Sequence, residues 1–288
     1  MFTKIFLHSI YRNIVCTTVA VFILLVCCSK KPVQGTKNAG KRQDSIITTG
    51  IRVLCYNIHH ANPPSRPNVI DIGVIAQVIN QEKPDLVALQ EVDVYTSRSG
   101  ASLHQAEELA RLTGMKSFFA KAIEYGGGEY GVAILSRHPM ESMKNYPLPT
   151  AAGTGGELRT LATAIVILPG GKKIRFASTH LDAQSNDTNR ILQAHKIVEI
   201  LKEEKLPVIL AGDFNAVPSA ITIGIFENYF TRSCISNCGF TVPVINPNRT
   251  IDFIVYTPKE KFRVLEQKVI AETYASDHRP VMAILQLQ

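Results

Sequence analysis

Val208-Ile209-Leu210-Ala211-Gly212-Asp213-Phe214-Asn215 is an apolar run that stops at a glycine and delivers a carboxylate and an amide. A run of this length and composition reads as a core strand leaving its sheet, and ligands of open α/β sheets gather at strand ends. Three further runs end in the same way. Arg52-Val53-Leu54-Cys55-Tyr56 leads to Asn57 and His59, Leu86-Val87-Ala88-Leu89-Gln90 to Glu91, and Ile174-Arg175-Phe176-Ala177-Ser178-Thr179 to His180 and Asp182. Ser276-Asp277-His278 precedes a fifth apolar run near the C-terminus. Five polar strand ends predict one shared site.

The chain also repeats itself. The stretch from Val78 to Glu91 can be laid over that from Ile200 to Asp213 without a gap; each ends a helix, turns, and enters a strand that finishes on a carboxylate. The helices ahead of the turns carry apolar residues near helical spacing, Ile72, Ile75, Ala76 and Ile79 in the first, Ile191, Leu192, Ala194, His195, Val198 and Leu201 in the second. Two similar half-domains follow, each a sheet covered on its outside by helices.

Seven segments stand in order along residues 52–288: Tyr56-Asn57-Ile58-His59-His60, Leu89-Gln90-Glu91-Val92, Gly131-Val132-Ala133-Ile134-Leu135-Ser136-Arg137, Ser178-Thr179-His180-Leu181-Asp182, Gly212-Asp213-Phe214-Asn215, Ile251-Asp252-Phe253-Ile254 and Ser276-Asp277-His278. This series resembles the ordered motifs of the endonuclease/exonuclease/phosphatase superfamily. The resemblance implies an α/β fold over residues 50–288, a four-layer α/β sandwich with two mixed β-sheets packed face to face and helices on both outer sides. It also implies a phosphoric ester hydrolase dependent on Mg²⁺ or Mn²⁺.

Cleaving a phosphoester requires a hard cation, an aligned water, a base for it, and donors for the charge that develops. By resemblance, Asn57, Glu91 and Asp277 bind the metal with oxygen ligands. Asp213 orients or deprotonates the water, or serves as ligand to a second cation. Beside a divalent ion its carboxyl is expected to keep a low pKa. Asn215 donates to a phosphate oxygen, and His278, oriented by Asp252, acts on the scissile group with His180 opposite. His59 departs from relatives such as the abasic-site endonucleases, which carry Asp there, and points toward branches acting on small or lipid phosphoesters. His59, Arg159 and Arg190 are candidates to hold substrate. Strand alternation would turn His60 away from the site. Tyr130 either orients substrate or packs on the sheet. The loops Gly126-Gly127-Gly128 and Gly153-Thr154-Gly155-Gly156 read as rim connections, and Lys172-Lys173 as a hairpin tip.

The N-terminus is of another kind. Lys4 and Arg12 precede an uncharged stretch from Asn13 to Cys28, which reads as a signal peptide over residues 1–28. Its end, Leu25-Val26-Cys27-Cys28-Ser29, resembles a bacterial lipobox with Cys28 or Cys27 as the lipidated residue; an uncleaved signal anchor is the alternative. Residues 29–49 are a basic, polar tether. The expected location is extracytoplasmic, on a membrane through an N-terminal lipid anchor.

The formal charge of +7 belongs to that end. Seven of the 31 basic and one of the 24 acidic residues lie within residues 1–44, leaving 24 against 23 in the remainder. A near-neutral catalytic region without a tryptophan favours a phosphorylated small molecule or phospholipid, such as a lipid or sugar phosphate, over nucleic acid. An extracytoplasmic nuclease is the runner-up, and a non-catalytic binding module on the same fold is an alternative of another class. A monomer is expected. With Cys16, Cys27 and Cys28 in the signal segment and Cys55 in a core strand, Cys234 and Cys238 are left as a disulfide or two free thiols.

Overall fold

The structure, a computed structural model, describes residues 50–288. The expected signal peptide, lipobox cysteines and tether lie outside the described residues. The elements are β1 (Ile51–Asn57), α1 (Ile72–Glu82), β2 (Leu86–Val94), α2 (Gln105–Thr113), β3 (Lys116–Tyr125), β4 (Gly128–Ser136), β5 (Met140–Leu148), β6 (Arg159–Ile167), β7 (Lys173–His180), α3 (Thr188–Leu201), β8 (Val208–Asp213), α4 (Ile221–Glu227), β9 (Thr231–Arg232), β10 (Asp252–Thr257), β11 (Phe262–Val269) and β12 (Val281–Leu287).

The strands form two six-stranded sheets, ordered β11-β12-β1-β2-β4-β3 and β5-β6-β7-β8-β10-β9. The repeat seen in the sequence has a structural counterpart. In β12-β1-β2-β4 and in β6-β7-β8-β10 the successive pairings are antiparallel, parallel and antiparallel. Each parallel pair is spanned by one helix, α1 or α3, as a parallel crossover requires.

Period-two alternation explains why these strands read as unbroken apolar runs. Val53, Cys55, Leu86, Ala88, Phe176, Ile209, Ala211 and Ile254 face the opposite sheet and form a shared core. Their alternates pack on helices: Leu54, Tyr56, Val87 and Leu89 against α1 and α2, Ala177, Leu210, Phe253 and Val255 against α3 and α4. Both faces of these central strands are therefore buried, and apolar residues fill most of their positions. The result is the four-layer sandwich that the resemblance implied.

The helices bury what their neighbours demand. Asp71 caps α1 by accepting from Val74 N–H at 3.2 Å, and Ile75, Ala76, Val78 and Ile79 are buried. In α3 the apolar pattern misleads. Leu192 and His195 are exposed, while Asn189, Arg190 and Gln193 are buried beside Ala194, Ile197 and Leu201. The first turns of α3 grip the loop after β7 rather than a greasy sheet. Gln193 Oε1 accepts from Asp182 N–H at 2.9 Å, and Arg190 Nη1 donates to the carbonyls of Asp182 and Gln184.

Cys234 and Cys238 form a disulfide, closing the loop after β9. Lys172 and Lys173 are exposed at the turn between β6 and β7, as read from sequence. Gly126 and Gly127 make the turn between β3 and β4 at positive φ. Gly156 is under a different constraint, since a Cβ there would collide with Asn189 Nδ2 and Asp182 Oδ2.

Candidate active site

Alternation carries the polar strand ends to one place. Residues 53, 55 and 57 share a face of β1, residues 209, 211 and 213 share one of β8, and the members at 53, 55, 209 and 211 lie in the core between the sheets. Asn57 and Asp213 therefore emerge between the sheets, as do His180 from β7 and Asp252 from β10. Register completes the arrangement: Asp213 lies opposite His180 on one side and Asp252 on the other.

Glu91 reaches the site by a different route. On a regular β2 it would share the outward face of Val87 and Leu89. A register shift against β4 between Leu89 and Val92, with Glu91 at φ 57°, turns its side chain toward Asn57 instead. Asn215, at φ 47°, makes a comparable turn after β8. Left-handed backbone at two non-glycine site residues is held by the surrounding structure.

Asp213 Oδ2 is the centre of the cluster. Asn57 Nδ2 donates to it at 3.1 Å, His180 Nε2 stands 3.5 Å away and His278 Nε2 3.7 Å away. The other oxygen, Oδ1, accepts from Asn215 N–H at 2.8 Å. Asn57 Nδ2 also donates to Glu91 Oε1 at 3.1 Å. Asn215 Nδ2 lies 3.0 Å from His180 Nε2 and donates to Leu181 O at 3.0 Å. His278 Nδ1 pairs with both Asp252 oxygens, at 3.2 and 3.0 Å.

Electrostatics separates the members. Burial and the neighbouring Asp252 push the Asp213 carboxyl up to about 7, against the opposing pull of His278, the Asn215 N–H and Asn57. With no cation beside it, Asp213 is desolvated next to a second carboxylate, and both effects raise its carboxyl. Burial works against a charged His278, yet Asp252 and Asp213 outweigh it and raise the imidazole to about 10. His180 is held neutral, first by burial and then by the Arg159 guanidinium. At Glu91 burial opposes ionisation, but His60, His180 and the Asn57 amide overcome it and hold the carboxyl well below the usual range.

The remaining candidates fall into two groups. Arg159 is buried at the start of β6, with Nη1 at 3.3 Å from His180 Nδ1 and 2.9 Å from Glu157 Oε1, and its Nε has no hydrogen-bond partner. Tyr130 is buried on the same flank, and the Arg98 guanidinium lies 5.5 Å from its ring centre. Asp277 is half-buried next to Ser276, whose hydroxyl donates to Asn57 O at 2.7 Å and ties this loop to the end of β1. Arg190 stands apart: it is buried in α3, where its guanidinium is engaged by loop carbonyls.

His60 does not turn away as alternation predicted. The chain leaves extended geometry at Ile58, and His60 Nδ1 comes within 3.9 Å of Glu91 Oε2. Gln90 and Ser178 join the set without having been singled out. Gln90 Nε2 donates to Ser178 Oγ at 3.2 Å, a buried bond between the sheets just beneath the site. Their signal was a polar residue at the end of an apolar run, one position before Glu91 and two before His180.

Two groups of donors could hold a cation among the described residues: His59, His60 and Glu91, and Asp213, Asp252 and His278. The donor chemistry at Glu91 suits a divalent ion. Asn57 Oδ1 accepts only from His59 N–H, at 3.1 Å, leaving a lone pair, and the Glu91 oxygens are no better satisfied. Bordering the second group, a cavity of about 410 Å³ lined by Ile235, Phe240, Phe253, Ile254, Val281 and the disulfide meets the site at Asp252.

Comparison with known proteins agrees with this fold. The chain is 25% identical over 252 residues to an uncharacterized protein of Escherichia coli, YbhP, covering 82% of this chain and 96% of that one. An endonuclease/exonuclease/phosphatase from Beutenbergia cavernae superposes with a TM-score of 0.67 at 26% identity, over 83% of this chain and 72% of that one. A mannosyl-6-phosphatase of Bacteroides thetaiotaomicron has the same fold, with a TM-score of 0.65 at 21% identity, over 82% of this chain and 99% of that one. Fold and donor clusters together support a metal-dependent hydrolase. The model of the Endonuclease/Exonuclease/phosphatase family matches residues 54–278, and the chain belongs to that family.

Proposed function

We propose that the protein hydrolyses a lipid or sugar phosphate, as a phosphodiester or phosphomonoester, with Mg²⁺ or Mn²⁺ held by Asn57, Glu91 and Asp277. The observation that carries this reading is Asp213 Oδ2, which has an amide and two imidazoles grouped around it. A divalent cation, when bound, neutralises charge on the phosphate oxygens.

The chain's own residues perform the rest. Asp213, raised to about 7, is suited to align a water and take its proton near neutral pH. Asn57 and the Asn215 N–H hold its carboxylate in one orientation. His278 stays cationic, oriented by Asp252, and donates from Nε2 to the phosphoryl group as negative charge moves onto the leaving oxygen. Asn215 Nδ2 and neutral His180 add hydrogen bonds. Arg159 supplies positive charge, and its unpartnered Nε gives a further donor.

The near-neutral region beyond residue 44 and the apolar cavity bordering Asp252 favour an ester with a small organic group over a nucleic-acid strand. The mannosyl-6-phosphatase of the same fold adds support for sugar phosphates in the substrate panel. Residues 1–49 supply the proposed lipid-anchored attachment to the outer face of a membrane, and the enzyme acts there as a monomer.

A hydrolysis screen over phospholipids, sugar phosphates, inositol phosphates and single- and double-stranded DNA, with Mg²⁺, Mn²⁺ or EDTA, tests the reading. Turnover of a lipid or sugar phosphate that EDTA abolishes and Asp213→Ala removes is the expected result. Turnover of DNA alone would overturn the substrate class. Independently of turnover, the native protein should carry an acyl group and sediment with membranes, and an unacylated, freely soluble form would refute the anchor.

A further inference from the structure

His59, His60 and Ala61 all take left-handed backbone, with φ of 46°, 42° and 59°. Such a conformation is unfavourable for a non-glycine residue, and three in succession persist only where contacts hold them. Those contacts are present. His59 N–H donates to Asn57 Oδ1 at 3.1 Å, Gln105 Nε2 to His60 O at 2.6 Å, and Asp71 N–H to Ala61 O at 2.7 Å. The turn is thus clamped from β1, α1 and α2.

The turn sets both imidazoles against Glu91. Their rings meet edge to face at 4.5 Å, and a donor atom from each, with a Glu91 oxygen, lies within 4.8 Å of the others. His59 Nδ1 is 2.8 Å from the carbonyl of Asn62, which places the ring proton there and leaves Nε2 a lone pair. His60 Nδ1 is buried, has no hydrogen-bond partner, and faces Glu91 Oε2 at 3.9 Å. Donors about 2.1 Å from one tetrahedral ion stand about 3.4 Å apart, so the 3.9 Å between His60 Nδ1 and Glu91 Oε2 must close slightly as an ion binds.

Imidazole nitrogen favours zinc and the later transition metals, whereas Mg²⁺ selects oxygen ligands. We infer that His59, His60 and Glu91 form a mixed nitrogen and oxygen site that takes a Co²⁺- or Zn²⁺-like ion in preference to Mg²⁺. This rests on the reading of Glu91 as a cation ligand given under the proposed function, and adds two ligands and a metal preference to it. Beyond His59, His60 and Glu91, the other coordination positions are left to the proposed ligands Asn57 and Asp277, or to water or phosphate oxygen.

Titration of the metal-free, full-length protein with Co²⁺, followed by visible absorption, tests the site. The expected result is a saturable Co²⁺ band that Zn²⁺ displaces at equal concentration and Mg²⁺ does not at about hundredfold excess. His60→Ala should weaken Co²⁺ binding at least about tenfold. Paramagnetic shifts of the His59 and His60 ring resonances in the unaltered chain give a second readout that needs no variant. Displacement of Co²⁺ by equimolar Mg²⁺, unchanged affinity in a folded His60→Ala, or unshifted imidazole resonances would each overturn the inference. Such a result beside Mg²⁺-supported hydrolysis leaves the proposed function standing. A His60-dependent Co²⁺ site in a protein that hydrolyses no phosphoester leaves the metal site and removes the function.

Discussion

Asn57 and Asp213 are 156 positions apart and belong to opposite sheets, yet the Asn57 amide donates to Asp213 Oδ2 at 3.1 Å and, from the same nitrogen, to Glu91 Oε1 at 3.1 Å. One neutral side chain therefore couples the residue proposed as base to the residue proposed as cation ligand. It also joins the two half-domains at their active edge.

Removing that amide should be felt at both ends. Asn57→Ala takes from Asp213 a hydrogen bond that favours its charged form, so the acidic limb of the pH–rate profile should move to higher pH. Loss of a group that orients a cation ligand and the base should cost about 10–100-fold in activity. Steady-state kinetics across pH, with cation affinity measured in parallel, checks both effects; an unmoved acidic limb would count against Asp213 as base.

The two titrating groups predict a bell-shaped profile. Activity should rise as Asp213 loses its proton, at or below about pH 7, because a bound cation adds positive charge and can only lower that limb. It should fall toward about pH 10 as His278 loses its proton. Asp252→Asn removes the leading support of the His278 charge, so its alkaline limb should shift to lower pH.

Stability should follow the same histidine with a definite sign. The folded pKa of His278 lies above its unfolded value near 6.5, so its charge stabilises the fold fully below pH ~6.5 and progressively less as pH rises to about 10. Thermal unfolding of the apo protein between pH 6 and pH 10 should show Tm falling more steeply for the parent chain than for His278→Gln.

Gly156 tests the packing of the rim. Gly156→Ala should displace Asn189, which donates to Asp182 Oδ2 at 3.4 Å, and destabilise the protein by about 1–3 kcal/mol. Gly153→Ala meets no atom within 4 Å but sits at φ 76°, so its smaller cost should come from the backbone alone. Denaturant unfolding of the pair distinguishes collision from strain.

Arg159 offers a charge-conserving test. Arg159→Lys keeps the cation but loses the planar fork and the free Nε, so KM for a phosphoester should rise about tenfold while the fold is retained. A KM equal to that of the parent would place Arg159 outside substrate contact.

Much of this protein is legible from its residues in order. The runs at 52–56, 86–90, 174–179 and 208–211 are strands because they are short, apolar and bounded by turns, and their polar ends converge because side chains alternate on fixed faces. The helical repeat before each turn likewise foretold two similar halves. What local pattern did not carry was every feature decided by a distant partner. Glu91 points inward only because β2 bulges against β4, and His60 meets Glu91 only because contacts from three elements hold a left-handed turn. The buried face of α3 is polar at its start because a loop eight residues upstream needs donors and acceptors there. Asp213 departs from ordinary carboxylate behaviour because folding removes it from water and sets Asp252 opposite it. Sequence alone determined which residues alternate, turn and end on polar groups, since those are short-range properties of the chain. Tertiary structure decided direction, burial and charge, since each depends on atoms that folding brings together from far along it.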